Sequence, residues 1–198
     1  MIGICFTSLE RCIKQGLPAD SFIIKTSDLG PYAHEAQMPA WLRRELEVGG
    51  KPIRERKLDP ETGMVQKVEL VANETPDLIP VIALLCERDD NVARAWVCHP
   101  SVKHVGKQIK GEGGFCGYRN IQMLISYVQD VFPRGSHPFE GRIPTILKLQ
   151  DWIEEGWDKG INANARLETG GIKGTRKYIG TSEVSKAPAT DILSKPNM

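Results

Sequence analysis

Gly111-Glu-Gly-Gly-Phe-Cys116-Gly-Tyr-Arg-Asn-Ile-Gln-Met-Leu-Ile-Ser-Tyr127 is the stretch whose reading decides the fold. A glycine-rich approach delivers one cysteine to the start of an apolar run with helical spacing. Gly113 and Gly114 permit backbone angles that other residues resist, so a sharp turn is expected there. Beyond the cysteine, Ile121, Leu124, Ile125 and Val128 recur as one buried helical face. Cys116 is therefore expected at or near a helix N-terminus, where the dipole and free backbone N–H groups favour a thiolate. The same N–H groups suit the oxyanion of a tetrahedral intermediate. The plainer alternative is a small buried cysteine that merely begins a helix. A phosphate loop is disfavoured, because no Gly-Lys-Ser/Thr follows the glycines.

The chain of 198 residues suits one domain, or one domain with an appendage. Its 40% hydrophobic and 26% charged residues are those of a soluble globular protein with a real core. A net charge of +1 gives no support for nucleic-acid binding. No apolar run approaches a membrane span, and the N-terminus lacks the basic start of a signal peptide. Five irregularly spaced cysteines form no disulfide framework, so an intracellular compartment, cytoplasm or nucleus, is expected. Cys86, Cys98, His99 and His104 lack zinc-site spacing, so no metal and no cofactor is expected.

Residues 1–37 carry no strong period. Pro39 opens a helix predicted over Ala40 to Val48, striped by Trp41, Leu42 and Leu46 and closed by Gly49-Gly50. Residues 51–77 read as a linker or irregular arm, with a turn at Asp59-Pro-Glu-Thr-Gly63 and a possible short strand from Val65 to Val71. Leu78 to Cys86 is an apolar helix candidate, and Ala93 to Cys98 looks like a strand leading to the key loop. After the cysteine helix, a Pro/Gly/Ser loop spans Pro133 to Arg142, with His137 expected on its surface. A second helix is predicted from about Ile143-Pro144 to Trp157, buried through Ile146, Leu149, Ile153 and Trp157. Lys173, Arg176 and Lys177 on a glycine-rich loop read as a solvated surface. From Ser185 the composition predicts disorder. The implied division is an arm over 1–77, a hydrolase domain over 78–184 and a tail over 185–198.

Phe115-Cys-Gly-Tyr-Arg-Asn-Ile-Gln-Met-Leu124 resembles the nucleophile motif of the ubiquitin-fold-modifier-specific protease family. The likeness is greatest to its zinc-finger-containing deubiquitinase branch and fungal relatives, although Gly114-Phe-Cys116 is one glycine shorter than, or shifted from, the usual pattern. Ile143-Pro-Thr-Ile, Gln150-Asp-Trp-Ile-Glu-Glu-Gly-Trp-Asp-Lys-Gly160 and Lys173-Gly-Thr-Arg-Lys-Tyr-Ile-Gly-Thr-Ser-Glu-Val184 are similar to later family segments, in order. The resemblance runs from about Trp96 to Val184. It implies an α+β, papain-like cysteine peptidase fold that hydrolyses after the C-terminal glycine of ubiquitin, polyubiquitin or a ubiquitin-fold modifier. It also implies Cys116 as nucleophile and His104 as a possible oxyanion-side residue.

A papain-type site needs a base for the thiol proton and an acid to orient that base. In the resembled family a histidine and then an aspartate follow the Gly-Thr-Arg-Lys segment. The four histidines here, at 34, 99, 104 and 137, all precede Thr175, and Asp191 lies in the tail. The resemblance stops at Glu183-Val184, so the expectation is a partial peptidase domain lacking later strands, base and acid, and inactive by itself. The alternative is a non-catalytic protein that binds ubiquitin or a relative. Proteases of autophagy modifiers rank lower, since they lack the Gly-Tyr-Arg-Asn-x-Gln-Met run.

Overall fold

The computed structural model describes residues 29–59 and 61–180. The expected disordered tail over 185–198, and most of the aperiodic start, lie outside the described residues. Helices and short strands are mixed: α1 (Ala40–Val48), β1 (Pro52–Leu58), β2 (Val65–Val71), β3 (Glu74–Thr75), α2 (Leu78–Arg88), β4 (His104–Val105), α3 (Cys116–Val131), α4 (Ile146–Asp158) and α5 (Asn164–Thr169).

The core is helical. Along α3, Tyr118, Ile121, Ile125 and Val128 are buried, one face at 3.6-residue spacing. They pack with Ile146, Leu149, Ile153 and Trp157 of α4, the four positions read from the sequence. Helix α4 starts three residues later than Ile143, because Thr145 caps it: its hydroxyl accepts from the Lys148 N–H at 3.2 Å. Helix α1 has the bounds predicted and buries Leu42 and Leu46 completely in the same core, while Trp41 stays half exposed. Helix α5 and the segment after it add Ala165 and Ile172.

Two expectations are corrected outside that core. Residues 51–77 are not irregular: β2 is the short strand expected over Val65 to Val71, and β1 pairs with it as an antiparallel hairpin in register from Pro52↔Val71 to Leu58↔Val65. Asp59 organises its turn by accepting from the N–H groups of Glu61 and Thr62. Those bonds, Glu61's first, hold the Asp59 carboxyl below its ordinary value. Their support is present above the ordinary carboxylate range and is lost as pH falls through the lowered value. Ala93–Cys98 is not a strand; it runs unpaired and exposed, with the Arg94 guanidinium 5.8 Å from the Trp96 ring centre. Helix α2 does form over the apolar 78–86 stretch and continues to Arg88, yet none of its residues is buried.

Among the described residues the strands make two separate two-stranded sheets, β1–β2 and β3–β4. In the second, Glu74 pairs with Val105 and Thr75 with His104. Strand β4 lies on α3: the Lys103 N–H donates to Ser126 Oγ at 3.1 Å, and Val105 is buried.

Truncating Leu42 or Leu46 to Ala removes a fully buried side chain and should cost about 2–5 kcal/mol. Trp41→Ala, on the exposed side of the same helix, should cost well under half as much. Urea unfolding midpoints compare the three; equal small shifts would show that α1 is an appendage and not part of the core.

Candidate active site

Cys116 is the first residue of α3 and its side chain is exposed. Its neighbours are not: Phe115 and Tyr118 are buried, with ring centres 5.8 Å apart in edge-to-face contact. The N-cap position is Phe115, whose side chain accepts no hydrogen bond. The helical ladder begins with the Arg119 N–H donating to Phe115 O at 2.9 Å. Backbone donors of the first turn are thus left without a side-chain cap beside the thiol. Buried aromatic anchors on both sides hold the cysteine at the surface.

The loop before Cys116 is fastened by a buried ion pair. Arg119 Nη2 lies 3.0 Å from both Glu112 carboxylate oxygens, and both side chains are almost wholly removed from water. Glu112 also accepts from the Gln108 N–H at 2.9 Å, which closes a tight loop over 108–112. Arg119 Nη1 donates to Gln122 Oε1 at 3.0 Å, and Gln122 Nε2 donates to Pro144 O at 2.7 Å. Gln108 reaches Glu45 O of α1 at 3.4 Å. One network therefore ties the cysteine loop to α1, to α3 and to the turn that enters α4. Burial of the pair demands this near-complete satisfaction, since an unmatched interior charge costs several kcal/mol.

A second segment clasps the same loop from the far end of the chain. The glycine-rich loop was expected to be a solvated surface through Lys173, Arg176 and Lys177; for two of the three the structure shows otherwise. Arg176 pairs with Glu35 through two guanidinium nitrogens and its own backbone N–H, and its guanidinium stacks 3.7 Å from the Tyr32 ring centre. Hydrogen bonding to Glu35 raises the Arg176 guanidinium further above its ordinary value. Lys177 is buried, its ammonium donating to Thr169 O at 2.7 Å and Gly171 O at 3.0 Å at the C-terminal end of α5. Only Lys173 is the exposed cation expected, 3.4 Å from Asp151. Of the two glycines expected to turn the cysteine loop, Gly113 does so with φ 103°, whereas Gly114 has no positive φ.

Three of the four histidines are moored along the far half of α3. His99 meets the Tyr127 ring edge-on, with centres 5.1 Å apart. The strand carrying His104 is fastened at Ser126, about 15 Å along the helix axis from Cys116. His137 is buried, not on the surface as expected: its ring stacks on Phe139 and its Nδ1 accepts the Phe139 N–H at 3.2 Å. Phe139 O in turn accepts from Gln129, about 20 Å from Cys116 by the same helical rise. His34 alone belongs to the near end, on the turn whose Tyr32 would be touched by a Cβ at Gly113. Sequence reasoning placed Cys116 at the helix start but missed Glu112 and Arg119 as fasteners of its loop, because each acts through a partner that periodicity does not reveal.

Glu112→Gln removes the counter-charge of a buried guanidinium and should destabilise the fold by about 3–5 kcal/mol. Adding Arg119→Met should recover part of that loss, since the stranded charge goes too. A double-mutant cycle in urea tests it; strict additivity of the two changes would show that the pair does not act as a unit.

Comparison with known proteins covers the same region. The model of Peptidase family C78 matches residues 91–187. Zinc finger-containing ubiquitin peptidase 1 of Homo sapiens is 33% identical over 98 residues, which are 48% of this chain and 16% of that protein. Its Mus musculus counterpart is 31% identical over 84 residues, 42% of this chain and 15% of that protein. Ubiquitin carboxyl-terminal hydrolase mug105 of Schizosaccharomyces pombe is 39% identical over 74 residues, 36% of this chain and 30% of that protein. The chain thus spans less than a third of the length of these relatives. The likeness drawn from the sequence motifs is borne out, and residues 91–187 belong to peptidase family C78.

Proposed function

We propose that this chain carries the nucleophile-bearing part of a papain-like thiol hydrolase that cleaves after the C-terminal glycine of ubiquitin or a ubiquitin-fold modifier. The observation that carries the reading is Cys116: an exposed thiol on the first residue of an uncapped helix, inside the segment matched by the peptidase family. The thiolate attacks the carbonyl carbon of the modifier's terminal glycine. The carbonyl oxygen becomes an oxyanion, for which the first-turn N–H groups of α3 are the donors at hand. Collapse expels the lysine amine, which takes up a proton, and leaves a thioester on Cys116. Water then attacks the thioester and releases the modifier's carboxylate and the thiol.

The base that takes the thiol proton is a histidine from beyond these 198 residues, oriented by an aspartate; all four histidines of the sequence lie among the described residues. None of His99, His104 and His137, which stand with the far half of α3, is that base. His104, next to the Lys103 that donates to Ser126, keeps an oxyanion-side role alone. The 198-residue chain alone should therefore hydrolyse modifier substrates no faster than its Cys116→Ala variant. Robust Cys116-dependent cleavage would overturn that expectation and make His34 the next residue to change.

A second reading is favoured by the same separation of histidines from the thiol: a protein that binds the modifier without cutting it. Ubiquitin bearing a C-terminal electrophile separates the two. Adduct formation at Cys116 but not at the exposed Cys98, located by peptide mass spectrometry, is the outcome expected of a hydrolase site. Saturable ubiquitin binding, unchanged by Cys116→Ala and without adduct, would favour the binding protein.

A further inference from the structure

We propose that Tyr178 is the positioning residue for Cys116: its ring, wedged against Gly30 and Gly114, sets the backbone of the loop that presents the thiol. The proposal rests on the reading of Cys116 as nucleophile for its catalytic meaning, while the geometry stands independently of it. A Cβ built on Gly114 would fall 1.6 Å from Tyr178 Cε1, and one on Gly30 would fall 2.7 Å from three carbons of the same ring. The ring therefore occupies the space that both glycines leave open. Gly114 has no positive φ, so conformational freedom does not explain a glycine there. Contact with the ring does.

The segment that carries the ring is itself fixed. The Tyr178 N–H donates to Leu29 O at 2.9 Å, and the Arg176–Glu35 pair holds the chain two residues earlier. On the other side of the thiol, a Cβ on Gly117 would meet Ile179 Cγ1 at 2.6 Å and the Ile179 carbonyl oxygen at 3.2 Å. Tyr178 and Ile179 thus press on the residues flanking Phe115-Cys116, two before the cysteine and one after it. The thiol itself stays exposed. Their effect is on the peptide planes of the loop and first helical turn, whose N–H groups must already face the reacting carbonyl when charge develops. The Lys173–Gly180 segment, prominent in the sequence but without a chemical task of its own, thereby acquires one.

The test uses the full 198-residue chain and the rate at which iodoacetamide alkylates Cys116, followed by peptide mass spectrometry with Cys98 as the reference thiol in the same molecule. Tyr178→Phe keeps the ring and should leave the Cys116/Cys98 rate ratio within about twofold of the parent across pH, because the contact is unchanged. Tyr178→Ala frees the loop and Gly114→Ala forces a methyl into the ring; each should lower the ratio by about tenfold or more. The double variant Gly114→Ala/Tyr178→Ala, with the clash removed, should recover part of the Gly114→Ala loss. A ratio within about twofold of the parent in both single variants would overturn the proposal. Should Tyr178→Ala lose its far-ultraviolet dichroism, Tyr178→Leu replaces it, keeping bulk without a flat face. An unchanged ratio, or a lost fold, in that variant overturns the proposal too, by showing the ring to be indifferent or merely core. Failure of the peptidase reading itself would show separately, as absence of the ubiquitin adduct on the parent chain.

Discussion

A guanidinium sealed from water beside one carboxylate is the constraint from which the presentation of the thiol follows. Arg119 and Glu112 sit on either side of Cys116 in sequence, one on the helix and one on the loop before it. Because the interior does not tolerate an unmatched charge, the loop has few ways to lie once the helix is packed. Gln108 completes the arrangement by donating its backbone N–H to the Glu112 carboxylate and its side-chain amide to Glu45 O, and Gln122 by donating its side-chain amide to Pro144 O. The apolar core supplies the bulk of the driving force, yet it leaves the loop free to slide. The polar network removes that freedom.

The glycines divide according to two separate demands. Gly113 takes a left-handed backbone angle that side-chain-bearing residues resist. Gly114 and Gly117 are ordinary in φ and are glycines because Tyr178 and Ile179 lie where a Cβ would be. Pressure from the clasp and the pull of the ion pair act on opposite ends of the same short loop. The exposed thiol is held by contacts that all lie behind or beside it.

Helices α1, α3 and α4 were legible because a buried face writes itself into sequence at helical period, and Leu42, Ile121, Ile125, Leu149 and Ile153 all obey it. Strand β2 and the turn before it were legible too, but β1 was not, since it is exposed and Arg54, Glu55 and Arg56 carry charge where a half-buried strand would alternate. Ala93–Cys98 failed in the opposite sense: Trp96 and Val97 have strand character, but among the described residues no neighbour pairs with them. The cations at 176 and 177 looked solvated because the Glu35 carboxylate and the α5 carbonyls that hold them cannot be read locally. His137 hid for the same reason, its burial depending on Phe139 and the side of α3. Of the site, the cysteine at a helix start was evident from its glycines and the run behind it. Its supports were not, because each is a tertiary partner.

The Arg176–Glu35 contact closes a span of 141 residues, and the Tyr178–Leu29 bond lies beside it. Contacts of such separation carry a loop-closure cost that local helices do not, so they form after the segments between them. A ribosome delivers the cysteine helix well before it delivers Tyr178. During synthesis, then, the thiol emerges on a loop without its clasp and acquires its working shape only when the first and last described segments meet. The geometry of the Cys116 loop is thus a product of chain completion, a timing that leaves the thiol without its clasp while the rest of the chain is still being made.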